Sequence, residues 1–170
     1  ALWAHWLQKN GDAPYAYDVV LTRSRDGGGN WAEPVVPHDD GTRTEHGFVS
    51  MWAQGVDVLG LAWLDGRNTA GGHGGGAHDG RHDGSDAGSD GGGHDHDGAM
   101  TLRAALVDPS LVPTHEFEID TRVCDCCQTA VATTAKGPLL VYRGRDAGEV
   151  RDILATRFDG RAWSTPAPVH

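Results

Sequence analysis

The sequence has no excess of basic residues, no long apolar run, no amphipathic helical pattern and few cysteines, and each shortage removes a class of protein. Against 24 Asp and Glu there are only 14 Lys and Arg, a formal charge of −10. Nucleic acid is therefore excluded as a partner, because binding it requires a basic face that neutralises phosphates. No apolar stretch reaches the ~18 residues that a membrane span needs. Three cysteines in 170 residues are too few for a disulfide scaffold. No charged-then-apolar leader opens the chain at Ala1, so a signal segment is expected to have been removed or never present.

What is there is short and extended. Stretches rich in Val, Leu, Trp and Tyr alternate with clusters of Gly, Asp, Asn and Pro, the pattern of strands and tight turns. Eleven strands are predicted: LWAHWLQ (2–8), AYDVVLTR (16–23), NWAEPVV (30–36), HGFVSMWA (46–53), DVLGLAWL (57–64), MTLRAALV (100–107), HEFEID (115–120), TAVATTA (129–135), PLLVYRG (138–144), DILATRF (152–158) and AWSTPAPV (162–169). The fold class is all-β, about one domain by length.

Self-similarity at long period marks repeat architectures. Trp31-Ala-Glu-Pro34 is followed four residues later by His38, and Trp163-Ser-Thr-Pro166 is followed at the same distance by His170. LAWLDGR (61–67) and LVYRGRD (140–146) read as equivalent strands, each carrying an aromatic into an Arg-bearing turn. The repeating unit is a small antiparallel sheet of four strands, a blade, with approximate boundaries 1–38, 45–120 and 127–170.

The first of these units contains SRDGGGNW, which fits S-x-D-x-G-x-x-W with Ser24, Asp26, Gly28 and Trp31 in the four fixed positions and Asn30 where Thr is more usual. Ser24 and Asp26 can bond the backbone of the turn, Gly28 can take a positive φ, and Trp31 is expected to fold back over the hairpin. A weaker copy, RFDGRAW (157–163), precedes the second W-x-x-P. With EHGFVS (45–50), AWLDGRN (62–68), RVCDCCQT (122–129) and VYRGRDAGEVRDI (141–153), this box resembles the Asp-boxes and neighbouring segments of bacterial sialidase-like proteins, six-bladed β-propellers.

The resemblance implies a glycan-active or glycan-binding protein, periplasmic or secreted, and an Asp-box on the outer rim with a structural role. With about three blades, the chain is expected to be a portion of a propeller, completed by further blades or as a homo-oligomer. Its partner would be a glycan or another protein chain. Sialidases grip the substrate carboxylate with arginines, which bind it bidentately, and use a tyrosine nucleophile, a glutamate that activates it and an aspartate acid/base. The candidates are Arg67, Arg143, Arg145 and Arg151; Tyr142; Glu45 or Glu149; and Asp65. None lies in a segment that aligns with the catalytic motifs, and F-R-I-P, which carries the first arginine in many sialidases, is absent. Salt bridging at turns for the arginines and core packing for Tyr142 are the plainer roles. Glu45-His46, just before an apolar strand, would point into the centre of a ring if that strand is innermost.

Two further features lie outside the resemblance in chemistry. Cys124, Cys126 and Cys127 crowd into CDCC. In an extended strand Cys124 and Cys126 would share a face with Cα atoms ~6.7 Å apart, so they can pair only if the chain turns. The alternatives are a disulfide or thiol pair, a soft metal such as Cu(I) or Zn(II) with Asp125 or a histidine completing its shell, or reactive redox thiols. The second feature is the insert 71–98, with six Asp, one Arg and five histidines, which accounts for half the net charge. It reads as a solvated loop or as a loose chelator of Cu, Zn or Ni through His94 and His96. Asp95-x-Asp97-Gly98 is too small a fragment of a calcium loop to suggest that ion.

Overall fold

The computed structural model describes residues 1–70 and 98–170. Its described residues form an all-β protein with no α-helix, whose strands lie in three antiparallel sheets of two to four strands. The first sheet pairs β1 (Leu2–Lys9) with β2 (Tyr17–Ser24) in continuous register from Leu2↔Ser24 to Lys9↔Tyr17. The second is a meander of β3 (His46–Ala53), β4 (Leu59–Asp65), β5 (Thr101–Val107) and β6 (Pro113–Asp120). The third is a meander of β7 (Ala130–Thr134), β8 (Gly137–Arg143), β9 (Ile153–Arg157) and β10 (Ala167–Pro168).

Two predicted strands are corrected. NWAEPVV is not a strand: Val35 alone bridges Leu21, through N–H···O bonds of 2.8 and 2.9 Å. AWSTPAPV contracts to two paired residues, Ala167 and Pro168. Both segments carry prolines, which lack the N–H that a ladder needs and so confine pairing to a few positions at an edge. Among the described residues ten strands remain, and one 3₁₀ turn, Arg67–Thr69, follows β4.

The middle sheet is the hub, because β4 is buried along all seven residues. Side chains alternate across a strand, so LGLAWLD feeds two different cores. Leu61 and Trp63 pack with Val19 and Ala105, and Leu59 with Leu21, Val107 and Leu111, against the first sheet. Ala62 and Leu64 face the other way, joining Trp52, Leu102, Ala104, Val123, Leu140 and Tyr142 in the core shared with the third sheet. A near-continuous apolar run is what burial on both faces demands, and each large side chain so buried contributes ~1.5–3 kcal/mol. Across this second core the Trp52 and Trp163 rings meet edge to face with centroids 5.6 Å apart.

β3 carries an irregularity that ties the sheets together. Its register slips between Gly47 and Ser50, and Phe48 sits there at φ 51°. A bulge leaves backbone groups unpaired, and the segment leading into β7 satisfies them: Thr129 Oγ1 donates to the Phe48 carbonyl at 2.7 Å, and Gln128 Nε2 to the Val49 carbonyl at 3.3 Å.

Candidate functional site

Two polar centres flank the middle sheet. The first is an ionic network on the side of the first sheet. β2 brings Asp18, the loop after the Val35 bridge brings His38 and Asp40, β3 starts at His46, β4 ends at Asp65, the 3₁₀ turn gives Arg67 and β6 gives Glu116. The His38 and His46 rings stack 3.9 Å apart at 10°, and both are sealed from solvent. His38 Nε2 accepts the Val19 backbone N–H at 3.1 Å. That assigns its proton to Nδ1, which lies 3.4 Å from Asp40 Oδ2. Burial, then the charge of His46, holds His38 below the usual histidine range, against the opposing pull of Asp40, Asp18 and Asp65. His46 stands between two acceptors, the Tyr17 carbonyl at 3.0 Å and Asp40 Oδ2 at 2.9 Å.

Arg67 closes the network. Its Nε and Nη2 donate to Asp65 Oδ1 and Oδ2 at 2.8 and 2.7 Å, and the Trp63 indole N–H adds a bond to Oδ2 at 2.8 Å. Burial pushes the Asp65 carboxyl up, but these bonds to Arg67 and Trp63 outweigh it and hold it below the usual range. Asp40 is likewise raised by burial and brought down to about 2 by its bonds from Thr42, with His46 and Arg67 beside it. Arg67 Nη1 reaches Glu116 at 3.0 Å, and Glu116 passes the chain to Arg103 at 2.8 Å.

Donor atoms of Asp18, His38 and His46, and of Asp40, His46 and Asp65, converge within 4.8 Å, close enough for a cation. Their lone pairs are engaged, however. Val19 caps His38, and the Arg67 guanidinium sits on both Asp65 oxygens, where a metal would have to be. A half-buried arginine between carboxylates is a resident cation, and what the network does chemically is to join the first two sheets.

Among the sequence-predicted catalytic residues, the structure brings Asp65 and Arg67 together with the Glu45 backbone beside them, gathers Arg143, Arg145, Glu149 and Arg151 in a separate group, and leaves Tyr142 apart from the first. Glu45 is half-buried, and its carbonyl accepts the Gly66 N–H at 2.8 Å. Tyr142 is buried in the second core, with its hydroxyl donating to Asp120 Oδ2 at 2.7 Å. Burial and that carboxylate raise the phenol far above its ordinary value, the opposite of an activated nucleophile. Arg145 pairs with Glu149 at 2.9 Å in an exposed turn. Glu149 also pairs with Arg151 at 3.2 Å.

At the turn after β2, Ser24 Oγ donates to Asp26 Oδ1 at 2.9 Å and accepts the Gly28 N–H at 2.8 Å. Asp26 accepts the Asn30 backbone N–H at 2.9 Å and its side-chain amide at 2.7 Å. These bonds hold the Asp26 carboxyl far below the usual range. Gly27 and Gly28 have φ of 78° and 100°, where a side chain is strained. Trp31 lies near Gly28, yet it is 45% exposed, less of a cover than its sequence position suggests. With Arg25 and Asn30 it lines a cavity of about 340 Å³.

The second polar centre is the cysteine turn between β6 and β7. Val123 is pinned on both sides, donating its N–H to the Met100 carbonyl at 2.9 Å and bridging Gly144 beyond β8. Cys124 N–H then bonds the Arg143 carbonyl at 2.9 Å. The chain turns at Asp125 and Cys126 instead of running extended. Three sulfurs thereby converge: Cys124 to Cys127 at 3.0 Å, Cys124 to Cys126 at 3.6 Å, and Cys126 to Cys127 at 4.0 Å. All three cysteines are free.

Two guanidiniums flank them, Arg151 Nη1 3.9 Å from the Cys124 sulfur and Arg143 Nη1 3.9 Å from that of Cys127. Burial pushes the Cys124 thiol up, but hydrogen bonds from Cys127 and Cys126 and the charge of Arg151 bring it below its ordinary value. Exposed Cys126 is pushed up to about 11, first by its hydrogen bond with Cys124 and then by Cys127. Of these two, the buried Cys124 is the one shifted toward thiolate, the metal-binding and nucleophilic form.

His94 and His96 lie outside the described residues. Sequence reasoning missed His38, Asp40 and Glu116. Only His38 left a signal, as the residue four beyond W-x-x-P, and nothing in that repeat announces the ring stacked on it. No family model and no curated protein matches the chain, so its chemistry has to be read from its own side chains.

Proposed function

We propose that the chain is a portion of a sialidase-like β-propeller whose working chemistry is the capture of a thiophilic metal ion, Cu or Zn, by Cys124, Cys126 and Cys127. The observation that carries this is the convergence of three sulfurs within 3.0–4.0 Å of one another. With metal–sulfur bonds of ~2.3 Å, ligands around one ion lie ~3.8 Å apart in a tetrahedron and ~4.0 Å apart in a plane. Two of the three separations are near that already, and the third opens by under ~1 Å. A disulfide between Cys124 and Cys127 would have to close to ~2.05 Å and would leave the third sulfur and both guanidiniums without a purpose. The propeller reading is supported by two four-stranded antiparallel meanders and a two-stranded sheet packed through shared cores and by the bonded Ser24–Trp31 turn. The outer edge of β1 would then pair with a strand of a further blade or of a second copy, in a periplasmic or secreted protein.

The test is elemental analysis of protein purified without a metal-affinity column. Near-stoichiometric Cu or Zn is expected, lost when Cys124, Cys126 and Cys127 are changed to Ser. Metal at the same level in that triple variant, or none in the unaltered protein, defeats the reading.

Glycan binding is the second reading, supported by Trp31, which is 45% exposed beside Arg25 and Asn30 on the 340 Å³ cavity. An exposed aromatic face and a guanidinium suit an acidic sugar. Turnover of a fluorogenic sialoside or binding on a glycan panel, weakened by Trp31→Ala, is expected. The absence of both retires it.

A further inference from the structure

We infer that the ion held by the three cysteines is Cu(I), bound trigonally, with Arg143 and Arg151 as positioning residues that balance the charge of the thiolate cluster. This rests on the metal-binding reading above and makes it specific.

The ligand count comes first. Among the described residues, no fourth His, Cys, Asp or Glu donor joins the three sulfurs within 4.8 Å. A structural Zn(II) site needs four protein ligands in a tetrahedron. Cu(I) is selected by soft thiolates and is satisfied by three of them in a plane. The backbone favours the same answer. Val123 and Cys124 are fixed to Met100 and Arg143 by hydrogen bonds of 2.9 Å, so the buried sulfur is held while Cys126 and Cys127 swing on the turn beyond it.

Charge comes second. Three thiolates and Cu(I) leave two negative charges, and the turn meets two guanidiniums, each 3.9 Å from a sulfur, on Cys124 and on Cys127. They do not contribute equally. Arg151 shares its charge with Glu149 at 3.2 Å and also feels Asp125. Arg143 donates its Nε to the Arg151 carbonyl at 2.9 Å, a neutral acceptor, and keeps its charge for the sulfurs. With Zn(II) the same thiolates leave one negative charge, and the two arginines overshoot it. Binding is coordination without electron transfer: Cu(I) enters as Cu(I), and any thiol proton leaves to solvent.

The experiment uses the full chain under anaerobic, reducing conditions. Cu(I) is titrated in competition with a chromophoric Cu(I) chelator, and Zn(II) in competition with a Zn dye. The Cys124→Ser/Cys126→Ser/Cys127→Ser variant run in parallel subtracts every other site, His94 and His96 included. One Cu(I) per chain is expected at the cysteine site, with three sulfur scatterers by X-ray absorption and displacement of Zn(II) by equimolar Cu(I). Arg143→Gln is expected to weaken Cu(I) by ~10-fold, as loss of an outer-shell partner does. Arg151→Gln should weaken it less, and both should leave Zn(II) unchanged or tighter. Zn(II) retained against equimolar Cu(I), nitrogen or oxygen in the first shell, or equal loss of both metals in the arginine variants overturns the inference while the metal reading stands. If neither metal binds above the triple-serine background, both fall.

Discussion

The two polar centres flanking the middle sheet are built from the same kind of material and differ in whether their valences are filled. Around His46 the acids meet donors: Asp65 is clasped by Arg67, Asp40 by His46 and Thr42, and Glu116 by Arg67 and Arg103. Around Cys124 three sulfurs point at one another, and the nearest cations stand off at 3.9 Å. Charged and polar residues that complete one another hold a structure together, whereas like donors that converge ask for something else. Composition and charge do not separate the two cases, but geometry does.

The comparison breaks most visibly at Arg67. Arg67→Met leaves Asp65 fully buried without its partner, and loss of one member of a buried pair costs ~3–5 kcal/mol. Urea unfolding should register a shift of that size, and one below ~1 kcal/mol would show that the network holds nothing.

Acid should sharpen the contrast next. Because folding depresses the pKa of His38, the unfolded chain binds more protons below the ordinary histidine value, so stability falls as pH drops below ~6.5. Asp40 and Asp65 are also depressed, Asp40 to about 2. Their contribution is present above the ordinary carboxylate value and is lost as pH falls through ~3.8 toward the folded value. Unfolding followed from pH 8 to pH 3 is expected to show two successive declines, the first reduced by His38→Gln and the remainder owed to His5, whose pKa burial also lowers. A flat profile between pH 7 and 5 would contradict the buried neutral His38.

The smallest effect is at the other centre. In metal-free protein, Cys126→Ser removes an exposed thiol and should move stability by no more than ~0.5 kcal/mol. A larger loss, measured by the same denaturation, would mean that the cysteine turn is itself structural.

Much of the fold was legible because strand signals are local. HGFVSMWA coincides with β3, and most other predicted strands fall within a residue or two of their observed bounds. The segments that misled are those where proline removes the ladder donor, as at Pro34 and Pro166. The site was legible only where its residues are neighbours in the chain: Asp65 and Arg67 flank one glycine, and the three cysteines share one tetrapeptide. His38 and His46 are eight residues apart and meet because two sheets close on each other, a distance that no local pattern encodes. Whether the chain turns between Cys124 and Cys126 was not legible for a related reason, since Val123, just before that turn, is held by partners on two other segments.

The Trp52–Trp163 contact gives the molecule an intrinsic spectroscopic gauge. Two indoles 5.6 Å apart and nearly perpendicular are close enough for their excited states to couple and give a paired band in circular dichroism. Because one ring belongs to the middle sheet and the other to the turn before β10, that band registers the seating of two layers on each other independently of the strands within either.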